Sequence, residues 1–210
     1  MNRNFDNGSP ESKAPAFGEA VPIVASPETL RFLARRRSAS AVNLGAPGPT
    51  DREALEMLTM AARVPDHGKL APWRFILFGD AAKARFVARL EAIATERPDG
   101  ARLQAKLAKL RAPPLTIAVV SRHVAGEIPE WEQRLSAGAV CMTLLNAAQA
   151  MGFGANWITD WYAYDPDALA LLGLAEGERV AGFVHVGTAT EEPLERVRPD
   201  VEELASVWGA

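Results

Sequence analysis

Residues 130–151 place the tightest constraint on how this chain can fold. They read as one long helix, Ala-rich and apolar around most of its circumference after Leu135. A helix apolar on all sides has no face to rest on water. It must run through the core or lie at a subunit interface, and the other elements have to be arranged around it. Gly152 is its natural C-cap.

Four strands can be read nearby. Residues 73–78 alternate and then saturate in apolar side chains, as a half-buried or central strand does, while 115–120 form a short, fully apolar run behind Pro113-Pro114. Two more, 155–159 and 179–187, flank a short helix opened by Asp165-Pro166-Asp167 and closed by Gly173. Further helices precede them. Ser26-Pro27-Glu28 combines a hydroxyl cap, a first-turn proline and an early acid ahead of Leu30, Phe32 and Leu33, in a helix that ends in Arg35-Arg36-Arg37-Ser38. Thr50-Asp51-Arg52-Glu53 matches a capping box; Leu55, Leu58, Ala61 and Ala62 then give the buried face of a second helix, which Pro65 stops. Residues 81–110 are helical with Phe86, Leu90 and Ile93 on one face, and Pro98-Asp99-Gly100 breaks them; the basic second piece is expected at the periphery. No regular βαβ alternation and no repeat is present, so the expected fold is a layered α+β one.

Length and composition bound the function. The 210 residues, 48% hydrophobic, suffice for one sizeable core, so 26–210 are expected to form a single domain. Residues 1–25, rich in Asn, Gly, Ser, Pro, Ala and Glu, are expected to form a disordered arm. With 23 basic and 26 acidic residues and a net charge of −3, the overall field favours neither nucleic acid nor an acidic membrane, which points to a small-molecule partner. The lone Cys141, in an apolar helix, reads as a buried inert thiol, compatible with a reducing cytoplasm and with no Cys-based metal site. No apolar run approaches the ~20 residues of a membrane span.

The Gly-rich phosphate loops, the His-Glu-x-x-His helix and the Gly-x-Ser-x-Gly elbow are all absent. What remains is more diffuse. Arg35-Arg36-Arg37-Ser38 can grip a phosphate through forked, charge-assisted hydrogen bonds, although basic residues in a last helical turn are also favoured by the macrodipole alone. His67 and Lys69 sit in a turn-rich loop between Pro65 and Pro72, where side chains can face a cleft or simply solvent. Trp157, Trp161 and Tyr162 can border a flat ring or fill the core.

Five short segments stand in one order: Arg36-Arg37-Ser38, Arg63-Val64-Pro65-Asp66-His67-Gly68, Pro72-Trp73-Arg74-Phe75, Gly152-Phe153-Gly154-Ala155-Asn156-Trp157 and Val180-Ala181-Gly182-Phe183. Together they resemble the FMN-dependent nitroreductase family, in particular its short bacterial NAD(P)H nitroreductases, over about residues 30–198. The resemblance implies a central, mostly antiparallel sheet flanked by helices, and a homodimer with two FMN sites at its interface, built from both chains. It implies that Arg36, Arg37 and Ser38 bind the ribityl phosphate and that Arg63 and His67 approach the isoalloxazine. Trp157, Ile158 and Thr159 would border the flavin, Gly187 would bring backbone N–H groups to the phosphate, and Arg198 would add a cation. The chain departs from the family pattern at Ser40, Lys69 and Ala71, so the pyrimidine end must be recognised differently, with Arg63 expected to face it and Lys69 in reserve.

The activity implied is NAD(P)H-dependent, ping-pong hydride transfer through FMN to small electrophiles such as nitroaromatics or quinones. No side chain need act as a nucleophile, so no catalytic residue is assigned. The alternatives are a same-fold flavoenzyme acting on another activated ring, a flavin-binding redox sensor or carrier without turnover, and a non-flavin interaction module.

Overall fold

The computed structural model describes residues 14–209. Along them run α1 (Pro27–Arg35), β1 (Leu44–Gly45), α2 (Asp51–Ala61), β2 (Trp73–Phe78), α3 (Asp80–Thr95), α4 (Gly100–Lys106), α5 (Ala108–Arg111), β3 (Leu115–Ser121), α6 (Glu130–Ala150), β4 (Gly154–Ile158), α7 (Pro166–Ala170), β5 (Arg179–Ala189) and α8 (Val201–Leu204). The arm expected over 1–25 lies outside the described residues as far as position 13; residues 14–26 contain no helix or strand and are largely exposed.

β5 is the centre of the sheet. It pairs with β1, β3 and β4, and β2 follows β3 at the edge; every pairing is antiparallel. The register of β3 on β5 slips between Val119 and Val120, which face Gly182 and Val180, so Ala181 is the extra residue of a bulge. The apolar run at 73–78 is therefore a half-buried edge strand, whereas β3 is buried from Leu115 to Val120. β1 falls in the Gly- and Pro-rich loop, where no apolar period announces it.

Helices cover both faces. On one, α2 and α6 pack Ala54, Met57, Ala61, Val140, Cys141 and Leu144 against Ile117, Val119, Val184 and Val186. On the other, Phe86, Leu90, Leu107, Leu110 and Tyr162 pack against Ala118 and Phe183. Two expectations are corrected here. The buried face of α2 is Ala54, Met57 and Ala61, while Leu55 and Leu58 are half-buried and Ala62 is exposed. The basic second piece of 81–110 is not peripheral, because Leu103, Leu107 and Leu110 form an i, i+4, i+7 stripe that enters the core. Its lysines 106 and 109 reach sideways to the buried carboxylate of Asp160, at 3.3 and 3.2 Å. Leu107→Ala should accordingly cost about 2–5 kcal/mol in denaturant unfolding.

Polar groups are buried in this second layer too. His185 on β5 is fully buried, with Nδ1 2.9 Å from the Thr116 hydroxyl. Burial, followed by the positive charges of Lys83 and Lys109, pushes the imidazole down to about 3. Its folded pKa lies below the ordinary 6.5, so as pH falls the unfolded chain binds this proton first. Stability held above pH 6.5 should be lost on acidification, by up to about 1.4 kcal/mol per pH unit. Denaturant unfolding between pH 7 and 5 should show that slope, and His185→Asn should flatten it.

Candidate functional site

Two clusters of polar side chains lie at opposite ends of α6. The first begins where α1 stops. Arg36, at φ −58° and ψ 126°, has left the helix, so only Arg35 belongs to the last turn and the macrodipole cannot account for Arg36 and Arg37. From there the backbone runs beside β4: Ala39 N–H donates to Ala155 O at 3.0 Å, and the Asn156 amide donates to Ala39 O. The Gln149 amide donates to Arg37 O at 2.7 Å, tying the motif to the last turn of α6.

The C-terminal segment folds back onto this motif. Arg37 Nε donates to Leu194 O at 2.9 Å and lies 3.7 Å from Glu195, which in turn pairs with Arg198 at 2.9 Å. Arg36 is half-buried, with Nη1 3.5 Å from the Ser38 hydroxyl. Burial lowers its pKa most, and the positive charges of Arg198, Arg37 and Arg196 lower it further. Four guanidiniums thus converge with one carboxylate between them, leaving a positive locus able to fork onto an anion. Arg36, Arg37, Ser38 and Arg198 come together as expected. Arg196 was missed, and the signal was its place two residues before Arg198.

The second cluster surrounds the loop after α2. The Asp66 carboxylate accepts from Leu70 N–H at 3.1 Å and Ala71 N–H at 2.8 Å. Gly68, Lys69 and Ala71 take positive φ values of 77°, 55° and 44°. For Lys69 and Ala71 that conformation costs on the order of 1–3 kcal/mol each, sustained by the Asp66 clamp. Ser136 on α6 donates to Pro65 O at 2.8 Å and accepts from the Trp73 indole at 3.2 Å. His67 Nδ1 sits 2.7 Å from Glu132 Oε2. Arg63 and Lys69 are exposed and make no ion pair among the described residues.

The remaining expected residues divide. Trp157 lays its indole over β5, donating to Ala181 O at 3.2 Å; a Cβ on Gly182 would meet its Nε1 at 1.9 Å. Ile158 closes β4, and exposed Thr159 accepts from the Tyr164 hydroxyl at 2.8 Å. Gly187 is hemmed in: a Cβ there would lie 2.6 Å from Pro114 Cδ and 2.9 Å from Gly45 O. Close packing of three strands already explains a glycine at that position.

The first cluster is anchored at Gln149 and the second at Glu132, 17 residues and so about 25 Å apart along α6.

Residues 33–188 match the family model described as "Nitroreductase family". The chain belongs to that family. This nitroreductase-family chain is 35% identical over 163 residues to the Escherichia coli K12 protein named "Putative NAD(P)H nitroreductase YdjA", covering 77% of this chain and 88% of that one. A Haemophilus influenzae protein named "Putative NAD(P)H nitroreductase" is 32% identical over 168 residues, 79% and 90% of the two chains. Among solved structures, a nitroreductase-like family protein from Bacillus cereus superposes with a TM-score of 0.78 at 19% identity, over 90% of this chain and 100% of that one. An FMN-bound nitroreductase from Bacteroides fragilis gives 0.66 at 18% identity, over 87% and 99%. These likenesses fit the five-stranded antiparallel sheet between helical layers.

In this family member, burial pushes the Cys141 thiol up to about 12, so it is neutral and inert at ordinary pH. Among the described residues there is no cluster of three His, Cys, Asp or Glu suited to a metal, and no helix long and apolar enough to cross a membrane. The Gly187 geometry makes a direct prediction. Gly187→Ala should destabilise the fold by about 1–3 kcal/mol in thermal or denaturant unfolding, because the Gly45 carbonyl cannot move without parting β1 from β5.

Proposed function

We propose that the protein is an FMN-dependent NAD(P)H oxidoreductase that works as a homodimer with one FMN site at each end of the interface. The observation carrying this reading is the separation of the two clusters by the length of α6. Two copies packed with antiparallel α6 helices would bring the arginine cluster of one chain to the His67 loop of the other, completing two equivalent sites. The surface supports such a partner. Trp131 and Leu135 on α6, and Leu30, Leu194, Val201 and Trp208 on the terminal segments, are large, apolar and exposed.

The residues present fit an FMN. Arg36, with its own charge disfavoured by burial and by three neighbouring guanidiniums, gains from a dianionic phosphate, and Ser38, Arg196 and Arg198 add donors. Arg37 is partly committed to Leu194 O and Glu195, so it contributes chiefly by holding the C-terminal segment in place. From the second chain, Arg63 and Lys69 bring unpaired cations toward the pyrimidine end, where negative charge accumulates on reduction. Trp157, Ile158 and Thr159 border the ring. When bound, FMN supplies hydride acceptance from NAD(P)H and delivery to a nitroaromatic or quinone by a ping-pong sequence. The protein supplies position and electrostatics, with no residue acting as a nucleophile.

An absorption spectrum of the purified protein tests this. Oxidised-flavin bands that bleach anaerobically with NADH or NADPH, and reappear with a quinone, are expected. Arg36→Ala should lose about tenfold or more in FMN affinity, equivalent to the ~1.5–3 kcal/mol of a charge-assisted contact, with an unchanged unfolding midpoint of the apoprotein. A protein that stays colourless after FMN reconstitution would overturn the assignment, and bleaching without turnover on the quinone would favour a flavin-binding sensor.

A further inference from the structure

Beside the arginine cluster lies a cavity of about 470 Å³, lined by Glu28, Arg31, Phe32, Arg35, Arg36 and Gln149. Its wall is one face of α1, since residues 28, 31, 32 and 35 fall within one arc of a helix, and Leu30 and Leu33 lie on the other side. The charge on that face is unusual. Arg31 and Arg35 stand at i and i+4, a like-charge spacing that weakens a helix, and neither makes an ion pair among the described residues. Glu28 alone cannot neutralise three arginines. Gln149 adds a buried carbonyl oxygen with no hydrogen-bond partner, and Phe32, half-buried, offers a ring edge or face.

Arg36, Ser38, Arg196 and Arg198 are assigned to the flavin phosphate, whereas Arg31 and Arg35 have no assigned anion. Arg31 and Arg35 together can fork onto a second anion, and a volume of about 470 Å³ admits a nucleoside phosphate.

We propose that this cavity is a subsite for the adenosine 2′-phosphate of the electron donor, with Arg31 and Arg35 holding the phosphate and Phe32 against the adenine, so that the enzyme prefers NADPH to NADH. The assignment rests on the flavin oxidoreductase reading and shares Arg36 and Gln149 with the cavity wall, but Arg31 and Arg35, which would hold the phosphate, lie outside the flavin cluster, so it can fail separately.

Calorimetric titration of the purified protein with adenosine 2′,5′-bisphosphate, AMP and inorganic phosphate tests it without turnover. The bisphosphate should bind at least tenfold more tightly than AMP or phosphate. Arg31→Ala/Arg35→Ala should abolish that preference with flavin content unchanged, and Glu28→Gln should tighten bisphosphate binding several-fold. In steady state the wild type should show a lower KM for NADPH than for NADH, and the double variant should equalise them. Equal affinity for the bisphosphate and AMP, or inorganic phosphate binding as tightly as the bisphosphate, would overturn the subsite. Displacement of FMN by the bisphosphate would also overturn it, since cavity and arginine cluster would then be one anion site. A flavin-loaded protein that fails to discriminate sinks only the subsite; a flavin-free protein that binds the bisphosphate through Arg31 and Arg35 sinks only the flavin reading.

Discussion

Burial of α6 is the constraint on which the rest of the molecule depends. Its 21 residues carry Ala137, Val140, Cys141, Leu144 and Ala148 fully inside, against the face of the sheet lined by Val184 and Val186. Because that contact fixes the axis of α6, it also fixes the distance between everything attached to its ends. Ser136 and Glu132 hold the loop after α2 at one end, and Gln149 holds the arginine motif at the other. The helix keeps these two polar clusters apart by its own length.

Charge is handled differently in the two helical layers. On the far side of the sheet, Asp160 is nearly fully buried but has Lys106 and Lys109 beside it, and Arg97 spans Asp165 and Asp167. These charges are matched and serve to hold the turn that follows β4. Around Arg36 the matching fails: several guanidiniums gather, with Glu195 the carboxylate among them. Like charges so placed cost stability unless an anion joins them, which is the physical basis for the proposed anion site.

Much of the fold was legible from local signals. Ser26, Thr50 and Asp165 cap their helices through hydrogen bonds to backbone groups two or three residues away, so the short-range pattern alone announces them. The apolar run of β3 and the end of α6 were readable for the same reason, although the C-cap itself is Met151 and Gly152 is the left-handed residue that follows it. The errors arose where composition and packing diverge. The basic residues of 100–111 drew attention from the Leu103, Leu107 and Leu110 stripe, and the α2 core face turned by one position, to Ala54, Met57 and Ala61. In the site, Arg36, Arg37, Ser38 and Arg198 carried a family pattern, whereas Arg196, Glu132 and Gln149 did not.

By itself the sequence determined the helix ends, the strands with strong periodicity, the antiparallel α+β class and membership of the nitroreductase family. All of these rest on interactions within a few residues or on motifs in fixed order. Only the tertiary structure decided that Arg196 joins Arg36, that Gly187 is packed beneath Pro114, and that the arginine cluster and the His67 loop stand a helix length apart. Those facts depend on contacts between segments 65 to 160 positions apart in the chain. No local preference encodes such contacts; they exist because the core around α6 leaves the chain one way to pack.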